Sequence, residues 1–155
     1  MLRPIAIATA VSGTLDILFA VILTLLYGRE PANMLRNVAS GPFPSAKEWG
    51  GSGAVLGLVV HFTLMGIMAT IFVLVARRYP DILKSPLKWG VIYGLITYFA
   101  MNWIIVPLRF DAPLPPRPMA IATQLFAHIV LVGIPFALIT ARTLRPDLAA
   151  ERATA

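Results

Sequence analysis

Four side chains able to do acid–base or hydrogen-bond chemistry stand out in an otherwise apolar chain: Asp16, His61, Asn102 and His128. Asp16 lies 11 residues before Tyr27, His61 lies 11 after Gly50, and His128 lies 10 after Pro118. At about 1.5 Å per helical residue these three sit roughly 15–17 Å from one surface of a bilayer, near its midplane. Asn102, five residues before Pro107, lies nearer that surface. An aspartate at the centre of a span costs about 2.5–3.5 kcal/mol on insertion scales, so Asp16 must be protonated, hydrogen-bonded or paired with a histidine. An Asp–His pair can hold or release a proton near neutral pH, because histidine titrates there. That chemistry points to a proton-responsive or ligand-binding site. The alternative is that the same four residues satisfy one another and fix helix register.

Each candidate belongs to a stripe at three- and four-residue spacing. The stripes are Thr9, Ser12, Gly13, Asp16 and Ala20; Gly53, Gly57 and His61; Gly90, Gly94, Tyr98 and Asn102; and Ala120, Gln124, Ala127 and His128. Small residues let helices approach closely and polar ones hydrogen-bond across the contact. The stripes predict a compact bundle that they line, with Tyr98 and Gln124 added to the candidate site. Two histidines at one depth on different helices are also the minimum for bis-histidine haem b, with Arg109 near the outer end as a propionate partner, or for a metal completed by Asp16. Helix packing explains the same glycines, so no cofactor is assigned.

The elements that must position these residues follow from composition. The chain has 155 residues, 58% hydrophobic and 13% charged, against about 25% charged in soluble domains. Residues 4–28, 49–76, 89–108 and 118–141 carry, between them, a single charge, Asp16. Each is long enough to cross about 30 Å of hydrocarbon. The expected fold is an all-α integral membrane protein, a four-transmembrane-helix bundle with spans at about 4–27, 50–76, 86–106 and 118–142. This excludes a globular soluble enzyme, a nucleic-acid reader and a disordered chain. The net charge of +6 is read as loop lysine and arginine rather than as a nucleic-acid surface. The absence of cysteine excludes disulfides, thiolate metal sites and iron–sulfur clusters.

Residues 29–48 form an outer loop in which Pro31 opens a short interfacial helix, with Met34, Leu35, Val38 and Ala39 on one face and Arg36 and Asn37 on the other. Ser45-Ala46-Lys47-Glu48 reads as a capping box ahead of span two. Ser85-Pro86 reads as a cap with proline in the first turn of span three. Pro107 stands near the end of span three, and Pro135 should kink span four. Trp49, Trp89, Tyr27 and Tyr79 fit interface anchors. Arg3, the apolar run and Ala8-Thr9-Ala10 superficially resemble a signal peptide, but the run continues to Tyr27 and is read as a retained span. Gly50-Gly51-Ser52-Gly53 lacks the Lys-Ser/Thr pair of a phosphate loop. With four spans, eight lysines and arginines lie on the side of the termini and five on the other, which places both termini and the tail, 143–155, in the cytoplasm.

Spans two and four share H-x-x-L-x-G-I, at His61–Ile67 and His128–Ile134, and each is followed by arginine and then Pro-Asp. A duplicated helical hairpin would produce this, as would coincidence between apolar segments.

The chain resembles a group of small four-span bacterial inner-membrane proteins without an established activity. The resemblance covers about residues 8–142. It rests on Leu58-x-x-His61-Phe62, on Tyr93-Gly94-x-x-x-Tyr98-x-x-Met101-Asn102 with Val106-Pro107-Leu108, and on His128 with Val132-Gly133-Ile134-Pro135. It implies a bacterial inner-membrane location and no mechanism. A looser likeness, the single acidic residue in the first span, is to small multidrug transporters, whose loops are much shorter than 29–48.

Three functions compete. The first is a proton- or ligand-binding, transporter-like protein working as a homo-oligomer. The second is an accessory or assembly subunit of a larger membrane complex with a structural polar core. The third is a haem redox protein. No Ser-His-Asp constellation is legible, so an enzyme is the less favoured class. The lipid bilayer is the expected partner, and nucleic acid is not.

Overall fold

The computed structural model describes the backbone of residues 1–153 and the side chains of residues 1–144. The first span is α1, Leu2–Leu26, followed by a short helix α2, Pro31–Ala39, and a 3₁₀ turn, Pro44–Glu48. The second span is α3, Gly50–Arg78, and a second 3₁₀ turn, Pro80–Lys84, leads on. The third span, Pro86–Phe110, is α4 (Pro86–Phe99), a π-helical segment (Ala100–Ile105) and α5 (Val106–Phe110). The fourth, Pro118–Leu144, is α6 (Pro118–Phe126), a second π segment (Ala127–Gly133) and the start of α7, Ile134–Ala153. The protein is a multi-pass membrane protein: all four spans are long and apolar enough to cross a bilayer. The tail helix continues to Ala153; the cytoplasmic placement expected for 143–155 falls largely on side chains outside the described residues.

The two π segments have one physical cause. Proline lacks the amide that would bond four residues back, and its ring collides with that carbonyl. Pro107 and Pro135 each stand two residues past a π segment. The amide just before each proline reaches back five residues instead of four: Val106 N bonds Met101 O, and Ile134 N bonds Ile129 O. Each π turn thus absorbs the break, and span three runs on past Pro107 to Phe110. The extra residue rotates the following helical face by about 100°.

The bundle is packed at one end and open at the other. Ala8, Met65, Phe72, Leu83, Phe136 and Leu144 belong to a single apolar core at the end that carries the termini. The turn Pro80–Lys84 inserts Ile82 and Leu83 there. Tyr93 donates to Met68 O at 2.7 Å and packs edge-on against Phe72, joining spans two and three. Trp89, expected as an interface anchor, packs partly buried on this core. Toward the other end, neither the first π segment, α5 nor α6 has a buried residue, and α1 has none beyond Ile17.

Glycines set the helix spacing. A Cβ on Gly133 would collide with the Gly90 carbonyl and approach Gly94 N to 2.7 Å, and one on Gly94 would meet Ile129 Cα at 2.6 Å. Spans three and four therefore touch backbone to backbone. Gly53 and Gly57, expected to line the bundle interior, instead receive the outer loop: a Cβ on either would strike the carbonyl of Ala46 or Leu35. Arg36, expected on the solvent face of α2, turns to α3 and donates to Gly50 O at 3.3 Å. The expected capping box is absent. Residues 44–48 are 3₁₀, and α3 starts after Trp49 without a side-chain cap. Ser85 occupies the position before α4 but makes no cap bond.

Candidate functional site

The candidate residues are brought together as two hydrogen-bonded groups, one in each hairpin. In both, the histidine of the second helix turns toward the first helix of its own hairpin.

The first group joins α1 and α3. Gly13 has no Cβ, and one placed there would stand 2.6 Å from the Phe62 ring. Its absence lets the helices close until His61, 8% exposed, places Nε2 2.9 Å from Gly13 O. A carbonyl only accepts, so Nε2 carries the hydrogen. Nδ1 then faces Asp16 Oδ2 at 3.9 Å. That separation is an ion-pair contact and is too long for a direct hydrogen bond. With Nε2–H fixed, a proton taken up by the pair has two places to sit: on Nδ1, giving an imidazolium–carboxylate pair, or on Asp16, giving two neutral groups. Asp16 keeps 23% of its side chain exposed against 10% for His61, so the carboxylate is the more accessible partner.

The second group joins spans three and four. Thr97 donates to Gly94 O at 3.0 Å, which uses its one hydrogen. Its oxygen therefore accepts from His128 Nδ1–H at 3.1 Å. The Asn102 amide nitrogen is oriented by Tyr98 O at 3.3 Å, and it donates to His128 Nε2 at 3.4 Å. Trp103 donates to the Tyr98 hydroxyl at 3.2 Å, and Tyr98 packs edge-on to the imidazole. The donors of Thr97, Asn102 and His128 all meet acceptors while His128 is neutral with its hydrogen on Nδ1. A proton added at Nε2 would face the Asn102 NH₂, donor against donor. The two histidines are thus held as opposite tautomers.

Asp16 is thus brought to His61, and Asn102 and Tyr98 to His128. Gln124, half-buried on α6, joins neither group among the described residues, because the outer part of span four packs loosely. Ala120 of the same stripe is exposed. Sequence reasoning missed Thr97 and Trp103 as members of the site, and it placed Gly13 on an interior stripe without its part as the acceptor for His61. Thr97 had a usable signal, since it lies three residues after Gly94 on the face that Gly94 turns to span four. The Gly13 carbonyl had none, because backbone acceptors are invisible in a sequence.

Haem ligation meets an obstacle in this geometry. Both ring nitrogens of His128 and Nε2 of His61 are hydrogen-bonded to protein groups, and Arg109 is spent on loop carbonyls, donating to Gly41 O at 2.5 Å and Ser40 O at 2.8 Å. Among the described residues no three His, Cys, Asp or Glu side chains converge as a metal site.

Fold and site together define a four-span membrane protein with buried His–Thr–Asn contacts. Comparison with protein-family models, with curated proteins and with solved structures finds no match.

Proposed function

We propose that this is a proton-responsive, transporter-like protein of the bacterial inner membrane, with both termini cytoplasmic, in which Asp16 and His61 bind the proton. The observation that carries the reading is the 3.9 Å approach of His61 Nδ1 to Asp16 Oδ2 with Nε2 already committed to Gly13 O. Two acid–base groups are placed to share an added proton near the middle of the membrane, the arrangement proton relays need. The bacterial location follows the family resemblance, and the orientation follows the lysine and arginine bias. Four spans enclose a narrow pathway, so the working unit is a homo-oligomer.

His128, Thr97 and Asn102 serve a different purpose. Their relay is complete without any added proton or ligand, and it locks spans three and four in register. The assembly-subunit reading draws little support, because Gly13, Gly53, Gly57, Gly90, Gly94 and Gly133 are consumed by contacts within the chain.

The test is proton movement into liposomes holding a pH dye, driven by a potassium diffusion potential. The natural chain should acidify or alkalinise the lumen and Asp16→Asn should not, with His61→Gln as the second variant. Equal rates for the natural chain and a folded Asp16→Asn protein would overturn the reading.

A further inference from the structure

Serine and threonine hydroxyls inside a membrane helix ordinarily bond the carbonyl four residues back. Thr24, Thr63, Thr70, Thr123 and Thr143 all do so, at 2.7–2.9 Å. Thr9, Ser12 and Thr140 do not: their hydroxyl oxygens are buried and have no partner among the described residues. Ser12 and Thr140 have no exposed surface at all. Leaving such a hydroxyl unpaired is destabilising, and the helix offered a remedy that these three decline.

Their positions are ordered. Thr9, Ser12 and Asp16 occupy one face of α1 at three- and four-residue spacing, and Thr140 lies on α7, which packs against α1. Measured from Arg3 and Arg142 at about 1.5 Å per residue, Thr140 lies roughly 3 Å in, Thr9 about 9 Å, Ser12 about 14 Å and Asp16 about 20 Å. The three orphan hydroxyls therefore step from the end bearing the termini up to the carboxylate.

We propose that the Asp16–His61 pair exchanges its proton with water at the end bearing both termini, through a seam where α1 meets α3 and α7, marked by the unpartnered hydroxyls of Thr9, beside Gly66 of α3, of Ser12 and of Thr140. This rests on the proton-binding reading of the pair. In the structure the seam is closed, since all three hydroxyl oxygens are buried; water enters when these helices part, and it then satisfies the three hydroxyls. The elements packed on α1 bring two ionisable groups to this depth, His61 from α3 and His128 from the fourth span. The next charges, Arg3 and Arg142, stand at the mouth of the seam.

Because the chain has no cysteine, single thiols report water directly. Thr9→Cys, Ser12→Cys and Thr140→Cys, in oriented vesicles, should react with a small charged methanethiosulfonate applied on the side of the termini. The rate should be about tenfold or more above Ala69→Cys and Ala137→Cys, apolar-core controls, since the reagent needs a hydrated thiolate. Rates equal to those controls, or labelling only from the other side, would overturn the seam. A second pair of variants works in the natural background. Ser12→Ala with Thr140→Val removes unpartnered polar atoms, so thermal stability should hold or rise while proton uptake slows about tenfold. Unchanged uptake would also overturn it. Thiol labelling does not depend on Asp16, so loss of the proton-binding reading and loss of the seam are separately visible.

Discussion

His61 and Asp16 meet across the contact of the first two spans with one ring nitrogen fixed and one open: Nε2 is 2.9 Å from Gly13 O, and Nδ1 is 3.9 Å from Asp16 Oδ2. A proton taken up by the pair has two homes, Nδ1 of His61 and the Asp16 carboxylate. Asp16→Asn removes one home and leaves a neutral amide of the same shape. Purified protein carrying it should take up fewer protons than the natural chain, with helix content unchanged. Potentiometric titration of matched samples is the check, and an unaltered proton count would contradict the pairing.

Thr97→Val should do the reverse. It deletes the acceptor for His128 Nδ1–H and leaves a buried donor unpaired, a loss of about 1–3 kcal/mol. Unfolding in mixed micelles should shift by that amount while proton uptake stays at the natural level. A Thr97→Val protein of natural stability would remove the reason for calling this group a lock.

The contact of spans three and four admits no side chain at Gly133. An alanine there must push against the Gly90 carbonyl and Gly94 backbone, so Gly133→Ala should cost at least the 1–3 kcal/mol or so of ordinary overpacking. Gly51→Ala is the comparison, because a Cβ there meets nothing within 4 Å. It should be neutral or gain up to about 1 kcal/mol from helix propensity. Thermal melts of the two variants decide the matter, and equal melting temperatures would contradict the close approach.

Arg109 clasps the outer loop to the end of span three through the carbonyls of Ser40 and Gly41. Arg109→Ala should free residues 29–48 and raise their rate of cleavage by added protease severalfold, on the order of the 1 kcal/mol expected for partly exposed charged hydrogen bonds. Arg109→Lys keeps the charge but loses the two-pronged geometry and should restore only part of the protection.

Much of this was legible before any coordinates. Charge-free windows locate spans because hydrocarbon tolerates no unpaired charge, and Pro31 marks α2 because proline suits a first turn. The depths of Asp16 and His61 follow from counting. Partner choice was less legible. The stripes predicted one shared interior, but Gly53 and Gly57 face α2, because a loop of 20 residues is long enough to fold back onto its own helix. The prolines announced a break without its form: Pro107 and Pro135 produce π turns, which keep the helix continuous and change its register. Gln124 shares a helical stripe with His128 yet packs loosely, since stripe position says nothing about how closely two helices converge at a given height.

The central claim is that the two imidazoles are held as opposite tautomers and that only one of them exchanges a proton. Nitrogen-15 NMR of histidine-labelled protein in bilayers reads this directly, because the chain has two histidines and His128→Asn assigns them. His61 should carry its hydrogen on Nε2, and its Nδ1 signal should move in Asp16→Asn. His128 should carry its hydrogen on Nδ1 and be unmoved by that substitution. Two histidines with the same tautomer, both unmoved by Asp16→Asn, would contradict it.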